Sequence, residues 1–232
     1  MSMVSKRVKL FKDLVDKSKA YTLKEAIGNL KKAPKVKFDE SVDLSIKLDI
    51  DPKQTEQMVR GTIVLPYGTG KTKRVAAFCK GEVQNRAKEA GADYVGAVDL
   101  IEKVSGGFLD FDVAVATPDM MKDLSKLGKI LGPRGLMPNP KAGTVTEDIA
   151  KAVKEVKGGK IEFRMDKLSN INIAVGKISF DEKALYDNAL ALIEAVQHAR
   201  PQSVKGNFIK SISISTTMGP GVRLDIPNLT RG

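Results

Sequence analysis

Ser41-Val42-Asp43-Leu44-Ser45-Ile46-Lys47-Leu48-Asp49 alternates apolar and polar side chains without a break. A period of two puts Val42, Leu44, Ile46 and Leu48 on one face, so the stretch predicts a strand with one wet face. A second strand is predicted from Val59 to Val64, and the two would suit antiparallel pairing. The same period returns late in the chain. Ile161 to Met165 and Ile171 to Ile178 flank a Ser169-Asn170 turn, and Phe208 to Ser215 sets Phe208, Ile212 and Ile214 among Lys210, Ser211, Ser213 and Ser215. A Gly219-Pro220-Gly221 turn leads on to Val222–Ile226. Two helices accompany these strands. Thr22 and Glu25 form a capping-box pair before Leu23, Ala26, Ile27 and Leu30, and Ser179 with Glu182 opens a long helix that Pro201 stops.

From residue 73 the pattern changes. Strands predicted at 74–78, 94–98 and 111–116 alternate with helices at 82–89, from Thr117-Pro118 through Leu127, and from Glu147 to Lys157 behind a Thr146 cap. Alternation of this kind points to a parallel sheet of Rossmann-like form. The fold class is therefore α/β with two domains. A discontinuous α+β two-layer domain, 1–67 and 159–232, is formed by both termini. An inserted Rossmann-like α/β domain, 68–158, carries the parallel sheet. The crossings Pro66–Gly70 and Gly158–Gly159 both bear glycine, as hinges do.

Charge is concentrated. The chain has 39 Lys and Arg against 28 Asp and Glu, a net +11. Residues 1–37 alone hold eleven bases (Lys6, Arg7, Lys9, Lys12, Lys17, Lys19, Lys24, Lys31, Lys32, Lys35, Lys37) and three acids (Asp13, Asp16, Glu25), an excess of +8. Clustering of this kind favours a polyanion partner over a merely solvated surface. Aromatics are only 5% and Trp is absent, leaving few platforms for unpaired bases. Folded RNA is then a better partner than single strands. Cys79 stands alone, which excludes a disulfide framework and suggests a reducing compartment. No run approaches the ~20 apolar residues of a membrane span. The N-terminal stripe Val4, Val8, Phe11 and Val15 suits docking to the protein body more than a membrane surface, so a cytoplasmic protein is expected.

Chemistry finds little support. Gly68-Thr69-Gly70-Lys71-Thr72 lacks the first glycine of a phosphate loop, because Leu65 stands there, and a strand follows instead of a helix. One His and one Cys cannot build a zinc site. His198 sits in the last turn of a helix, where an imidazole faces carbonyl groups favourably. No catalytic residue, cofactor or metal is expected. Four stretches instead suit RNA. Lys35-Val36-Lys37-Phe38-Asp39-Glu40-Ser41 places two ammonium groups before a Phe. Glu162-Phe163-Arg164-Met165-Asp166-Lys167 carries a turn. Ser211, Ser213 and Ser215 lead into Thr216-Thr217-Met218-Gly219, a shallow hydroxyl row suited to sugar 2′-hydroxyls. Finally, the loop from Gly132 to Thr144 has no acid, apolar residues expected to be exposed, and Arg134 and Lys141 for phosphates.

Lys37-Phe38-Asp39-Glu40-Ser41-Val42-Asp43, Leu131-Gly132-Pro133-Arg134-Gly135-Leu136-Met137-Pro138-Asn139-Pro140-Lys141 and Ser213-Ile214-Ser215-Thr216-Thr217-Met218-Gly219-Pro220-Gly221 closely resemble the ribosomal protein L-one family of the bacterial large subunit. The resemblance extends over essentially the whole chain. It implies a structural protein, not an enzyme, that binds a folded segment of large-subunit ribosomal RNA at the mobile stalk and sits there as a monomer. It further implies help in releasing deacylated transfer RNA from the exit site, and repression through a mimic of the RNA site in the leader of its own messenger. Carried onto this chain, the main RNA surface falls on Phe38, Glu40, Ser41, Arg164, Asp166, Lys167, Ser211, Ser213, Thr217, Met218 and Gly219. The competing hypothesis is a nucleotide-using enzyme built on the inserted domain.

Overall fold

The computed structural model describes residues 10–11, 14–16, 18–34, 36–52, 54, 57–204 and 206–226. Most of the expected N-terminal helix, much of the basic cluster, Lys35 and the tail from Asn228 lie outside them. The chain divides into two compact units. One draws on residues up to Gly70 and from Glu162 onward, the other on Lys71–Ile161.

The first unit is a sheet covered on one face by helices. Its strands β1 (Ser41–Leu48), β7 (Asn170–Lys177), β8 (Ile209–Thr216) and β9 (Val222–Arg223) are ordered β7-β1-β8-β9, and each pair is antiparallel. Val42, Leu44, Ile46 and Leu48 are all buried, as the period of two requires. Over that face lie α1 (Leu23–Lys32) and α7 (Glu182–His198), which pack on each other, α1 also on β8 and α7 on β7. The capping box forms at Thr22 and Glu25. The strand expectation needs one correction. β2 (Arg60–Val64) does not pair with β1 but with β6 (Lys160–Arg164), in a separate two-stranded ribbon. β6 and β7 likewise do not pair with each other. Ring packing explains part of this choice, since a Cβ on Gly61 would stand 2.5 Å from the Phe163 ring and only glycine leaves it room.

Asn188, fully buried on α7, clasps the crossing that leaves this unit. Its amide oxygen accepts from Tyr67 N at 3.0 Å, and its nitrogen donates to Gly68 O at 2.9 Å and Val175 O at 2.8 Å. Gly70 has φ +69, and a Cβ there would press on Lys177 and Phe180 at 2.9–3.0 Å. The expected phosphate-loop lookalike is thus a packed crossing, followed by a strand.

The second unit has a parallel sheet of β3 (Val75–Phe78), β4 (Tyr94–Gly96) and β5 (Val113–Ala116) in the order β4-β3-β5. Both faces of β3 are covered. Ala76 and Phe78 join a core with Leu100, Ile101 and Val104 of α3 (Val98–Ser105), while Val75 and Ala77 join Ala87 of α2 (Val83–Glu89) and Ile149 and Val153 of α6 (Ile149–Lys157). This explains the near-continuous apolar character of its strands.

Two helix expectations change here. The helix predicted from Thr117 through Leu127 is broken into 3₁₀ turns around α4 (Met121–Leu124), with α5 (Gly128–Leu131) beyond, and the Thr117 side chain makes no capping bond. Met120, Leu124, Leu127 and Leu131 still face one core, so packing tolerates the change of pitch. Helix α6 starts at Ile149, because the Asp148 carboxylate caps Lys151 N at 3.2 Å in place of Thr146. In the first unit, α7 begins after Asp181, and Ser179 instead binds Asp39.

Candidate nucleic-acid interface

The uncovered face of the first unit's sheet carries three polar rows set by register. Lys47 lies between Asn170 and Ser211, Ser45 between Asn172 and Ser213, and Asp43 between Ala174 and Ser215. Arg223 extends the middle row beside Ser213. Small hydroxyls and amides keep this surface shallow, and cations stand at its margins.

At the start of β1 a clasp joins segments 176 residues apart. Ser41 N donates to Thr217 Oγ1 at 3.1 Å, and Thr217 N donates to Ser41 O at 3.0 Å. Glu40 is only 4% exposed, and its Oε1 accepts from Met218 N at 3.0 Å. Ile178 N donates to Glu40 O at 2.8 Å on the other side. The clasp leaves Met218 and Phe38 each 54% exposed, with Lys37 exposed beside them. Glu40 and the Thr217 hydroxyl therefore hold the turn in place, and the exposed apolar groups meet solvent. Gly219 is required for packing. A Cβ there would lie 2.2 Å from Thr216 Oγ1.

The far end of β1 lies roughly 24 Å away, at about 3.4 Å per residue. There Asp166 accepts from Leu168 N and Asn170 N, both at 2.8 Å, and from Asn170 Nδ2 at 3.2 Å. The Asn170 N–H is the largest influence holding the Asp166 carboxyl below the usual carboxylate range; desolvation opposes it, and the Leu168 N–H, the Asn170 side chain and the Lys47 charge add to the lowering. Ser169 sits at φ +61, and its buried hydroxyl donates to Ile50 O at 2.8 Å. Lys47 Nζ donates to Leu168 O. Asp166 is thus the pin of a turn that displays Lys167, while Arg164 is exposed on β6. Ser211 is the cross-strand partner of Lys47, so it belongs to this end.

The candidate residues of the first unit accordingly gather at the two ends of one strand pair, with Ser213 between them. Ser45, Lys47, Asn172 and Arg223 complete the surface and were not singled out by motif. Their polarity was legible, but only strand register places them beside Ser211 and Ser213.

In the second unit the Gly/Pro loop differs from expectation. Leu136 and Met137 pack against the core and Pro138 is buried, so they are not an exposed apolar patch. Thr144 Oγ1 accepts from Asn139 N at 2.8 Å, and Asn139 Oδ1 accepts from Lys141 N at 3.0 Å. Arg134 and Lys141 remain exposed on this pinned loop. Among the described residues there is no group of three or more His, Cys, Asp or Glu placed to hold a metal ion.

The family model described as "Ribosomal protein L1p/L10e family" matches residues 30–220. A protein of Protochlamydia amoebophila named "Large ribosomal subunit protein uL1" is 54% identical over 226 residues, covering 97% of this chain and 96% of its own. Proteins of the same name from Fervidobacterium nodosum and Thermobifida fusca are 56% and 52% identical, each over 98% of this chain and over 97% and 96% of their own. With most of its length matched by the family and nearly all of it by such relatives, the chain belongs to the ribosomal protein L1p/L10e family, a family of structural and not catalytic proteins of the ribosome.

Proposed function

We propose that this ribosomal protein, a structural constituent of the large subunit in the cytoplasm, grips the ribosomal RNA of the mobile stalk with the uncovered sheet face of its first unit. The clasp between residues 40–41 and 217–218 carries the reading, because it fixes Phe38 and Met218 as exposed apolar contacts beside a row of hydroxyls. Ser211, Ser213 and Ser45 offer donors and acceptors to ribose 2′-hydroxyls across a shallow groove. Lys37, Lys47, Arg164, Lys167 and Arg223 supply phosphate contacts, which position the RNA and carry most of its affinity. Glu40 and Asp166 act as positioning residues, and Gly219 allows the turn its path. The Arg134–Lys141 loop adds a secondary contact.

The same surface serves two finer roles. Binding at the stalk assists departure of deacylated transfer RNA from the exit site. Binding a mimic of the ribosomal site in the leader of its own messenger represses translation. A nuclease footprint on total ribosomal RNA tests the core of the proposal. One protected segment of the large-subunit RNA is expected, lost in Met218→Ala and Thr217→Val proteins and kept in Arg134→Ala. Equal weak protection of every RNA would contradict it.

A further inference from the structure

Beside the clasp lies a cavity of about 510 Å³ with an apolar wall from Leu30 and Ala33 at the end of α1, and from Val36 and Ile178. Phe38 lines the same cavity. The segment that carries this ring is held on its C-terminal side. Asp39 accepts from Ser179 N at 3.2 Å and Ser179 Oγ at 2.8 Å, Lys177 Nζ donates to Asp39 O at 3.1 Å, and Glu40 is tied to Ile178 and Met218. The ring is therefore half in solvent by construction. A half-exposed aromatic ring, apolar lining and polar groups gathered in one cavity fit a flat ligand with polar edges.

We infer that this cavity is a subsite for one nucleobase, unstacked from the bound RNA and laid against Phe38. The inference rests on the RNA reading above and adds a base-specific element to a surface otherwise suited to backbone and ribose. Continuity supports RNA as the source, since Glu40 both lines the cavity and holds the Met218 turn of the interface. Charge supports it as well. Asp39 and Glu40 line the cavity with their carboxylates engaged by Ser179 and the Met218 amide, while Lys31 lines it and Lys37 is exposed next to Phe38, so the phosphates flanking an extruded nucleotide have cations to meet. Unpaired bases are what proteins read when they recognise RNA sequence, because a helical RNA buries its informative edges. The scarcity of aromatics in this chain argued against rows of stacking platforms. One platform suffices for one base.

The test uses the full-length protein and a synthetic large-subunit RNA fragment trimmed to its footprint, with a single abasic nucleotide placed at each unpaired position in turn. One position should weaken binding by roughly tenfold or more, the scale of a lost base–aromatic stack. Phe38→Ala should weaken binding of the intact RNA to the same extent and add no further loss on the sensitive abasic RNA, whereas Phe38→Trp should restore the intact affinity. Ala33→Met, which narrows the cavity, should mimic Phe38→Ala. If no abasic position couples to Phe38, the subsite is wrong even though RNA binding stands. Tight binding of free nucleoside monophosphates without such coupling would likewise overturn it. If Phe38→Ala and Met218→Ala both bind the RNA as the unmodified protein does, the interface reading itself has failed.

Discussion

Replacing Gly219 by Ala should break the RNA surface, and removing a neighbouring hydroxyl should repair it. The added Cβ would stand 2.2 Å from Thr216 Oγ1, over about 1 Å inside the ~3.5 Å of ordinary contact. Thr216 cannot yield cheaply. It is 3% exposed, and its β-branched side chain offers a methyl in place of the hydroxyl when it rotates. The turn must shift instead, which costs about 1–3 kcal/mol as overpacking. That shift pulls Met218 N from Glu40 Oε1 and displaces the exposed Met218. RNA affinity should then fall by about 1–3 kcal/mol, roughly 5- to 150-fold. Among the described residues Thr216 Oγ1 has no hydrogen-bond partner, so Thr216→Ala breaks none and costs about 1 kcal/mol in lost burial. In the double variant the nearest remaining Thr216 atom in side-chain contact is Cβ, at 3.4 Å, and the turn can return. Fluorescence anisotropy with the footprint RNA and urea unfolding read the two effects. Recovery in the double variant to within about threefold of the unmodified affinity is expected. A Gly219→Ala protein that binds normally, or a double variant as weak as the single, would refute the reasoning.

Other consequences follow from the same geometry. Affinity for the RNA should fall steeply with salt, with a log–log slope of about 0.7–0.9 per phosphate contact; a flat response would remove the cations from the interface. Asn188→Leu strands three backbone groups of the crossing and should lower unfolding free energy by about 2–4 kcal/mol, against a change within about 0.5 kcal/mol if the clasp were incidental. Asp166 has its folded pKa lowered, so its contribution is fully present above the ordinary carboxylate value near ~3.9 and is lost as pH falls through the folded value. Hydrogen-exchange protection at the Leu168 and Asn170 amides, taken relative to the intrinsic rate at each pH, should therefore fall only in acid, and at neutral pH in Asp166→Ala; equal protection in both would contradict the pinning role.

Much of the fold was legible because local periods and caps agree with it. The β1 alternation and the Thr22–Glu25 capping box are local chemistry, and both appear as expected. The choice of β1's neighbours was not legible, since β7 and β8 lie far along the chain and register depends on which apolar faces meet the helices. Thr146 and Asp148 could each cap α6, and only the path of the chain decides between them. The site shows the same division. Phe38, Met218 and the serine row stood out by residue type, whereas Glu40 entered only through the family resemblance and not as a buried positioning group. Its burial and its bond to a turn 178 residues away exist only once β1 and β8 pair. The Gly/Pro loop misled for a related reason, because Leu136 and Met137 find a core that composition does not reveal.

Excision of the inserted unit tests the central claim most directly. Lys73 Nζ donates to Lys160 O at 2.7 Å, so the ends of the insert lie close and a short link closes the gap at little entropic cost. A chain in which residues 71–159 are replaced by a short Gly/Ser link keeps the clasp, the serine rows and the Asp166 turn. With its fold verified by circular dichroism, it should still bind the footprint RNA specifically and lose only the contribution of the Arg134–Lys141 loop. A folded truncation that no longer distinguishes this RNA from others, or tight specific binding by residues 71–159 alone, would contradict the assignment of the interface.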